Sequence, residues 1–435
     1  MIKDLRDYIQ LLKEQNKIDI VDEAVELSDI SLRMREQEKR GKTILFRNIP
    51  GFEGTSMINN LFADRSFLAA IFGCAKESVQ ELLEERYSKR IPPVMVEEGP
   101  VQEKVFLGEE IDIFGFPFIK HAPKDGGRYN SAGIVIAKDP RTGIRNCSIN
   151  RMQLKGRNVT GFRMSPRQDL ESYYNAAKEL GQKLELAVAI GNHPLDLLAA
   201  ASGPPRDVDE LELAGAFRGE AVELVKCKTV DLEVPARAEL VLEGYLDPQE
   251  PWEPEGPFGD FMEFYVPVMD NPLFHITAIT CREHPILQAI HAGSRDDVTL
   301  LGTPREVEIA RMLKSMNVDV RKISLQIVNN YLTGAVAIRK QLEDEPRNVM
   351  MGAFAAFKFL KNFVVVDEDV DVDNPKEILW AMSTRLRAEK GILVIPNAVG
   401  FGRDAYGIHT AKLGIDATAP LGHWDEFERT GGQNG

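Results

Sequence analysis

The chain has 435 residues, 43% of them hydrophobic and 28% charged, which is typical of a globular protein with two or three domains. Its formal net charge of -14 disfavours nonspecific binding to nucleic acid or to an anionic membrane, so an anionic substrate has to be bound by local arginines. The N-terminus is charged, unlike a signal peptide, and no apolar run reaches the length of a membrane span. Four widely spaced cysteines without a CxxC pair argue against disulfides or a zinc site, and together these features predict a cytoplasmic protein.

The first part of the chain is predicted to form an α/β domain that ends at residue 110. Its predicted elements are an amphipathic helix from Ile2 to Leu12, a strand at Thr43–Phe46 and helices at 67–72 and 77–86. From residue 91 onward, prolines and acids favour an exposed connection to the next domain.

Residues 111–302 are predicted to form a β-rich domain. Short apolar and β-branched runs are separated by Gly, Asp, Pro or Lys, with amphipathic helices between some of them. The predicted strands lie at 131–137, 143–152, 158–164, 184–190, 222–226, 238–244, 275–281 and 286–290, and the predicted helices at 169–180, 194–201 and 209–217. Strands in series with helices around them favour a barrel or a sandwich.

The pattern changes again after Pro304. A helix predicted at 305–316 forms a linker, residues 303–318, to a C-terminal α/β domain at 319–435. Strands and helices are predicted to alternate there, at 319–327, 334–340, 348–360, 363–366, 375–387 and 392–395.

Residues 253–263, which read EPEGPFGDFME, are predicted to form a tight, stiff turn, and we call them the acidic turn. Two prolines and two glycines surround a phenylalanine, so we expect neither a helix nor a ladder-paired strand. The apolar residues inside the turn indicate that it is packed, and packed carboxylates require partners. Glu255 and Asp260 are therefore candidates for proton transfer, with a solvated acidic loop as the alternative.

Arg151 is a candidate partner for Glu255. An arginine on the inward face of the strand predicted at 143–152 requires an anion, whereas a surface arginine in that strand would not. The common nucleotide and metalloprotease motifs are absent: the sequence has no GxGxxG between a strand and a helix, no Walker sequence and no HExxH.

Three oxygen-bearing residues at the ends of predicted elements form a candidate metal site. Asn146, Asp169 and Glu210 offer ligands that suit a hard divalent cation such as Mg²⁺ or Mn²⁺. The alternative is structural, with Asp169 as a helix N-cap and Glu210 as a complement to the helix dipole.

Taken together, these segments resemble the UbiD family of reversible decarboxylases. The resemblance covers nearly the whole chain and is carried by residues 146–151 (NCSINR), 225–228 (VKCK), 234–236 (VPA), 242–244 (LEG), 255–260 (EGPFGD) and 412–418 (KLGIDAT). It implies an α+β fold in which a central split β-barrel domain binds prenylated FMN. It further implies an N-terminal α/β domain, a C-terminal α/β oligomerisation domain joined by a helix, a homo-oligomer (dimer or hexamer), and a flavin prenyltransferase that supplies the cofactor.

The resemblance assigns roles to individual residues. Arg151 falls on the active-site arginine, Glu255 on the glutamate paired with it, and Asp260 on the acid that delivers a proton, where some relatives have glutamate. The residues implied to contact the flavin are Ser148, Ile149, Asn150, Arg151 and Lys412, and His291 falls on a pocket position that varies with the substrate.

The metal ligands match less cleanly. Asn146 and Glu210 fall on two ligands of the family's divalent metal beside the flavin phosphate, but the third is often histidine. Here the segment 165–169 reads SPRQD, and either Gln168 or Asp169 matches. We prefer Asp169, because a carboxylate binds Mn²⁺ or Mg²⁺ better than an amide does. The resemblance leaves K⁺ open as a further cation.

The leading hypothesis is reversible, non-oxidative decarboxylation of an aromatic, heteroaromatic or α,β-unsaturated carboxylic acid with prenylated FMN. A furandicarboxylate-like acid is favoured, because His291, Arg295 and Arg305 could meet a second acidic group. Prenylated hydroxybenzoates and phosphorylated isoprenoid-precursor acids are alternatives. A non-catalytic, flavin-binding oligomeric scaffold is the alternative of another class, but such a scaffold has no need of the acid pair and its arginine.

Overall fold

The computed structural model describes residues 2–328, 330–401, 409–427 and 429–430. The chain divides into two compact units, Met1–Leu300 and Leu301–Gly435. All four cysteines are free, as predicted. No helix in the described ranges is both long enough and apolar enough to cross a membrane.

The elements are numbered in chain order over the described residues. The strands are β1 Ile18–Val21, β2 Thr43–Phe46, β3 Ser56–Asn59, β4 Val94–Met95, β5 Lys104–Leu107, β6 Tyr129–Asn130, β7 Ile134–Lys138, β8 Arg145–Ile149, β9 Met152–Gly156, β10 Val159–Phe162, β11 Leu184–Ile190, β12 Glu223–Lys226, β13 Glu233–Pro235, β14 Leu240–Leu246, β15 Glu253–Glu255, β16 Phe258–Gly259, β17 Tyr265–Val266, β18 Met269–Asn271, β19 Leu273–Cys281, β20 Ile286–Gln288, β21 Val320–Ser324, β22 Thr333–Ile338, β23 Asn362–Asp367, β24 Ile392–Val399 and β25 His409–Ala417. The α-helices are α1 Leu5–Glu14, α2 Leu27–Glu38, α3 Arg65–Phe72, α4 Val79–Tyr87, α5 Asp169–Leu180, α6 Pro194–Ser202, α7 Glu210–Arg218, α8 Arg295–Ser315, α9 Glu345–Ala356, α10 Pro375–Thr384 and α11 Ala388–Gly391.

The N-terminal sheet takes its last strand from far along the chain. Its order is β1-β2-β3-β20, and β20 pairs in parallel with β3. The apolar side chains between this sheet and α2 form a small core: Val25, Ile30, Met34, Ile44, Phe46, Ile49, Met57, Ile119 and Ala289. Because β20 leads directly into His291 and α8, this sheet fixes where that segment begins.

The central sheet has nine strands in the order β6-β9-β10-β19-β14-β11-β7-β8, with β5 also paired to β19. β8 lies at one end of this order and β9 is next to the other end, yet only Asn150 and Arg151 separate them in sequence. A two-residue connection spans a few ångströms, so the sheet must curl until its two ends approach each other. The result is a half-barrel whose apolar interior includes Val135, Met152, Phe162, Val188, Leu242 and Ile279.

The second unit is an α/β sandwich around a five-stranded sheet of order β21-β22-β23-β25-β24. β22, β23 and β25 are parallel, and the two outer strands are antiparallel to their neighbours. α9 and α10 pack against β23 and β25, so the predicted alternation of strands and helices is confirmed.

Helix α8 differs from its prediction, because it begins at Arg295 and passes through Pro304. The prediction started the helix after this proline, which lacks an N–H and clashes with the preceding turn. In the structure, hydrogen bonds hold the residues from 295 onward that the prediction left out of the helix. Ser294 Oγ accepts from Asp297 N–H at 3.2 Å, and the two carboxylate oxygens of Asp296 accept from Phe62 N–H at 2.7 Å and Asn60 N–H at 3.0 Å.

Two further stretches were read incompletely from the sequence. The connection predicted from residue 91 onward is largely exposed, but it includes the paired strands β4 and β5. Helix α2 was missed, since its apolar spacing is interrupted and it buries only Ile30, Met34 and Gln37.

The anchor at Asp296 makes the stability of the protein depend on pH. Burial raises the pKa of Asp296 to about 7 from an ordinary value of 3.8. Between these values the folded chain holds a proton that the unfolded chain has lost, so this group's contribution to the free energy of unfolding falls as the pH rises, by on the order of 1.4 kcal/mol per pH unit.

We predict that Asp296→Asn, which cannot titrate, becomes progressively more stable relative to the parent between about pH 5 and pH 7. Thermal midpoints of the two proteins, measured across this range, test the expectation. A constant difference between the two curves would contradict it.

Candidate functional site

The site includes the two-residue connection, Asn150 and Arg151, where the ends of the curled sheet approach each other. Arg151 was predicted to lie in a strand. It lies instead in the connection between β8 and β9, where its side chain is 7% exposed. Its Nε and Nη2 donate to Glu255 Oε1 and Oε2, both at 3.0 Å, which is a bidentate pair. The predicted pairing of Arg151 with Glu255 is therefore present in the structure.

Glu255 is fully buried and has a second donor. Asn271 Nδ2 donates to Glu255 Oε2 at 3.3 Å, while Asn271 Oδ1 accepts from Met164 N–H at 3.0 Å. Gly161 lies against this carboxylate, and a Cβ there would come within 3.4 Å of Glu255 Cγ. A buried carboxylate with this many fixed contacts holds the guanidinium in one orientation.

The acidic turn is more regular than predicted. Glu253–Glu255 pairs with Met269–Asn271, and Phe258–Gly259 pairs with Tyr265–Val266, so two short antiparallel ladders replace the unpaired turn that the prolines suggested. Proline tolerates this because each ladder has only two strands, which leaves free edges. The prediction that the turn is packed is confirmed, since Phe258 and Phe261 are buried.

Asp260 is the second acid at Arg151. Its Oδ2 lies 3.6 Å from Arg151 Nη1, a nitrogen that makes no hydrogen bond among the described residues. Asp260 Oδ1 accepts from Phe261 N–H at 2.9 Å. The Phe258 ring lies 4.5 Å from the guanidinium carbon and 4.7 Å from the Tyr129 ring, so one face of the site is aromatic.

Asp125 holds the acidic turn in place and was missed in the sequence. Its Oδ1 accepts from Gly259 N–H and its Oδ2 from Ala122 N–H, both at 2.8 Å, and burial raises its pKa. Gly126 N–H donates to Pro257 O at 2.8 Å. The Asp-Gly-Gly run at 125–127 signals a turn and was the available hint. Nothing local indicated Asn271.

The segment assigned to the flavin leads directly into Arg151. Ser148, Ile149 and Asn150 are half-buried at the end of β8. Ser148 Oγ donates to Asn150 Oδ1 at 2.8 Å, and Asn150 Nδ2 donates to Arg163 O at 3.1 Å. A partly exposed backbone run beside an unpaired arginine N–H fits a flat, anionic cofactor such as FMN.

Two acids, Asp209 and Asp169, act electrostatically on Glu210, which starts α7 and is buried. Its Oε2 accepts from Cys147 N–H at 2.8 Å, so it lies against β8 one residue from Asn146. Burial, together with the charges of Asp209 and Asp169, raises the pKa of Glu210 to about 8. A buried carboxyl among acids gains from a divalent cation, so the donor set fits Mn²⁺ or Mg²⁺.

The alternatives for the third ligand differ in their surroundings. Gln168 is exposed and provides the N-cap position of α5 without a side-chain bond, whereas Asp169 is half-buried and forms an ion pair with Arg206. Cys147 was not considered from the sequence, yet its sulfur lies within 4.8 Å of the carboxylates of Asp209 and Glu210.

Lys412 belongs to the second unit, on β25. Its ammonium donates to Lys358 O at 2.9 Å and to Leu360 O at 2.7 Å, and it lies 5.3 Å from the Phe354 ring. Burial lowers its pKa. Its predicted contact with the flavin stays a prediction.

The three residues expected to meet a second acidic group belong to different units of the chain. His291 is buried in the first unit, but Arg295 is exposed at the start of α8. Arg305 lies in the second unit and pairs with Glu308 at 2.6 Å. The structure therefore does not support binding of a buried acidic group by Arg295, because α8 faces solvent at that position.

Three family models match the chain. They are the N-terminal, Rift-related and C-terminal domains of 3-octaprenyl-4-hydroxybenzoate carboxy-lyase, over residues 9–86, 94–295 and 298–417. The chain belongs to the UbiD family. This UbiD protein has the three-domain architecture of the family and is a carboxy-lyase.

Its relatives include named enzymes. The anhydromevalonate phosphate decarboxylase of Methanothermobacter thermautotrophicus is 40% identical over 73% of this chain and 75% of its own, and that of Methanosarcina mazei is 33% identical over 98% of both. The UbiD-class enzyme HmfF from Pelotomaculum thermopropionicum, solved with FMN, is 33% identical with a TM-score of 0.92 over 98% of this chain and 96% of its own. An evolved dimeric form of HmfF was solved with prenylated FMN, at 32% identity and a TM-score of 0.89 over the same shares.

We predict that Asp125→Asn lowers kcat of decarboxylation by about 10- to 100-fold with little change in the thermal midpoint. An amide offers one acceptor oxygen, so either Gly259 or Ala122 loses its bond and Asp260 shifts. The matched control is Asp112→Asn, because Asp112 accepts from Phe114 N–H and pairs with Arg157 in an exposed turn away from the acidic turn. Parent-like turnover by Asp125→Asn would show that the bond to Gly259 does not position Asp260.

Proposed function

We propose that this UbiD-family carboxy-lyase uses prenylated FMN to decarboxylate, reversibly and without oxidation, a small aromatic, heteroaromatic or α,β-unsaturated acid. The observation that carries the proposal is the buried bidentate pair of Arg151 and Glu255, with Asp260 at the remaining guanidinium nitrogen. A non-catalytic scaffold has no use for this arrangement, which removes two acids from water at a cost in folding free energy.

Bound prenylated FMN would supply the electron sink for the loss of carbon dioxide. Glu255 fixes the plane of the Arg151 guanidinium, which leaves Nη1 directed at Asp260. Arg151 attracts and orients the substrate carboxylate, and Asp260 then gives its proton to the carbon that loses carbon dioxide. In the reverse direction the same carboxylate takes that proton back.

The cofactor contacts are proposals of the same kind. Ser148, Ile149, Asn150 and Arg151 would line the flavin, with Lys412 from the second unit. Asn146, Asp169 and Glu210 would hold Mn²⁺ or Mg²⁺ beside the flavin phosphate, with K⁺ as a further cation. Support comes from the raised pKa of Glu210 and from the FMN and prenylated FMN in HmfF.

We further propose the finer organisation: a split β-barrel at 111–302 that binds the flavin, flanked by an N-terminal domain at 1–110 and an oligomerisation domain at 319–435. The linker predicted at 303–318 is supplied by helix α8, Arg295–Ser315. The curled sheet supports the barrel. A homo-oligomer, dimer or hexamer, a cytoplasmic location and cofactor supply by a flavin prenyltransferase complete the proposal. The dimeric form of HmfF supports self-association.

The substrate is best sought among small acids with a second anionic group. The names of two relatives favour a phosphorylated, isoprenoid-precursor acid such as anhydromevalonate phosphate. The furandicarboxylate-like acid favoured by the sequence loses the support of Arg295, which is exposed. Prenylated hydroxybenzoates remain a third candidate, suggested by the description of the family models. Protein co-expressed with a flavin prenyltransferase, assayed for carbon dioxide from each acid, tests the proposal.

We predict that Glu255→Gln and Asp260→Asn each lower kcat by at least about 100-fold. Asp260→Asn removes proton transfer by a positioned acid, which contributes roughly 10²–10⁴-fold. Glu255→Gln leaves one acceptor oxygen for the two Arg151 donors, so the guanidinium loses its fixed orientation. The control is Glu253→Gln on the same strand, since Glu253 is exposed and pairs with Lys155. Circular dichroism and flavin spectra confirm folding and loading. Parent-like turnover by either loaded variant would show that the substituted residue does not have its assigned role.

We also predict that Asp169→Ala loses flavin during exhaustive dialysis, whereas Gln168→Ala retains it. The reason is that the carboxylate is the better ligand for a metal that bridges to a phosphate. Flavin and metal per chain are measured by absorbance and elemental analysis. The reverse order of retention would assign the ligand to Gln168, and equal retention would argue against a metal at this position.

A further inference from the structure

Tyr129 contacts the acidic turn from the central sheet. It lies on β6, directly opposite Gln153 of β9, so the two side chains share one face of the sheet. Gln153 Oε1 accepts from Gly256 N–H at 3.0 Å, and the buried Tyr129 ring lies 4.7 Å from the Phe258 ring. The two side chains therefore border the stretch of the turn that begins with Glu255.

The Tyr129 hydroxyl has two acceptors in the turn. It lies 3.4 Å from Pro257 O, which is long for an O–H···O hydrogen bond, so this carbonyl holds the hydroxyl weakly. The second acceptor is the Glu255 carboxylate, which acts on the hydroxyl through its charge and through side-chain hydrogen bonding. Burial, followed by the charge of Glu255, raises the pKa of Tyr129. The hydroxyl therefore keeps its proton well above neutral pH and remains a donor.

The charges around Glu255 explain why a neutral donor is useful there. Arg151 contacts both Glu255 and Asp260, and in the proposed reaction it also binds the substrate carboxylate. A guanidinium shared with a second carboxylate holds Glu255 less firmly, and the two carboxylates repel each other at short range. Asn271 Nδ2, at 3.3 Å from Glu255 Oε2, is one neutral donor that stays in place, and the Tyr129 hydroxyl is another.

We propose that Tyr129 is a positioning residue of the reaction: its hydroxyl donates to Glu255 and so keeps the Arg151 guanidinium in place while the substrate carboxylate is bound. This inference rests on the proposed function, in which Arg151 orients the substrate. The pairing of β6 and the contact with Phe258 hold the Tyr129 ring, so little conformational freedom is lost when the hydroxyl donates.

The test is a double-mutant cycle between Tyr129 and Glu255. The parent, Tyr129→Phe, Glu255→Gln and the double variant are loaded with prenylated FMN and compared for kcat and KM with an acid that the parent turns over. We expect Tyr129→Phe to lower kcat about 10- to 100-fold in the parent, because hydrogen bonds to charged groups carry this much free energy. In the Glu255→Gln background, where the charge is absent, the loss should be less than about 3-fold. The control is Tyr174→Phe, which removes a hydroxyl that accepts from Trp252 Nε1 and should leave kcat unchanged.

A pH profile separates positioning from packing. A hydrogen bond donated to a carboxylate favours its charged form, so the acid limb of kcat/KM should move to higher pH in Tyr129→Phe, by at least about half a unit. The charged groups around Tyr129 and Glu255 include Arg151, Asp125 and Asp260, and all three are retained in the variant. The alkaline limb, which depends on the proton of Asp260, should stay in place. An unmoved acid limb, or equal losses of kcat in the two backgrounds, would overturn the inference and leave Tyr129 with a packing role.

If the parent turns over no acid, the proposed function fails, and the same four proteins are then unfolded in urea. A shift of the midpoint by Tyr129→Phe that is smaller in the Glu255→Gln background would support the inferred hydrogen bond independently, whereas equal shifts would overturn it. Should Tyr129→Phe not fold, 3-fluorotyrosine is placed at position 129, and its fluorine resonance is compared in the parent, Glu255→Gln and Glu253→Gln. A resonance that changes with Glu255→Gln but not with Glu253→Gln supports the bond, and any other result overturns it.

Discussion

The architecture of the site depends on one buried ion pair, between Arg151 and Glu255. The arginine comes from the two-residue connection between β8 and β9, and the glutamate comes from strand β15, 104 residues later in the chain. Removing either partner would leave an uncompensated charge in the interior, which typically costs about 3–5 kcal/mol. The pair therefore connects the acidic turn to the β8–β9 connection of the half-barrel. It leaves the third guanidinium nitrogen, Nη1, directed at Asp260.

The rest of the site is arranged around this pair by backbone contacts. Asp125 and Gly126 hold the turn from one side, and Asn271 holds the Glu255 carboxylate from another. Asp260 directly follows Gly259, whose N–H donates to Asp125, so this bond restrains the backbone from which Asp260 reaches Arg151. Such support from neighbouring elements is what catalytic groups need to stay within a fraction of an ångström of their working geometry.

Much of this could be predicted from local sequence. The regular periodicity of Leu5–Glu14 and Asp169–Leu180 predicted both helices, and the packed character of the acidic turn followed from Phe258 and Phe261. The pairing of Arg151 with Glu255 was also anticipated, because a buried arginine requires an anion. The strands within the acidic turn were not predicted, because proline generally disfavours ladder pairing. It is tolerated here because each ladder has only two strands.

The remaining features depend on residues that are far apart in the chain. Nothing near Asp125 shows that it will accept from Gly259, and nothing near His121 shows that His291 will lie beside it. The first turns of helix α8, ahead of Pro304, are held because Asp296 is anchored on Asn60 and Phe62, which lie 236 and 234 residues earlier in the chain. Helix propensity is a weak guide where tertiary contacts of this kind compete with it.

The pairing of β20 with β3 has a consequence for synthesis on the ribosome. β3 is translated early, but the strand that covers its outer edge emerges only after the whole central sheet has been made. Throughout that interval the nascent chain presents an open β edge, which is a template for intermolecular pairing. A chain interrupted before residue 286 would retain this exposed edge permanently, so premature termination should yield aggregates and not a foldable N-terminal fragment.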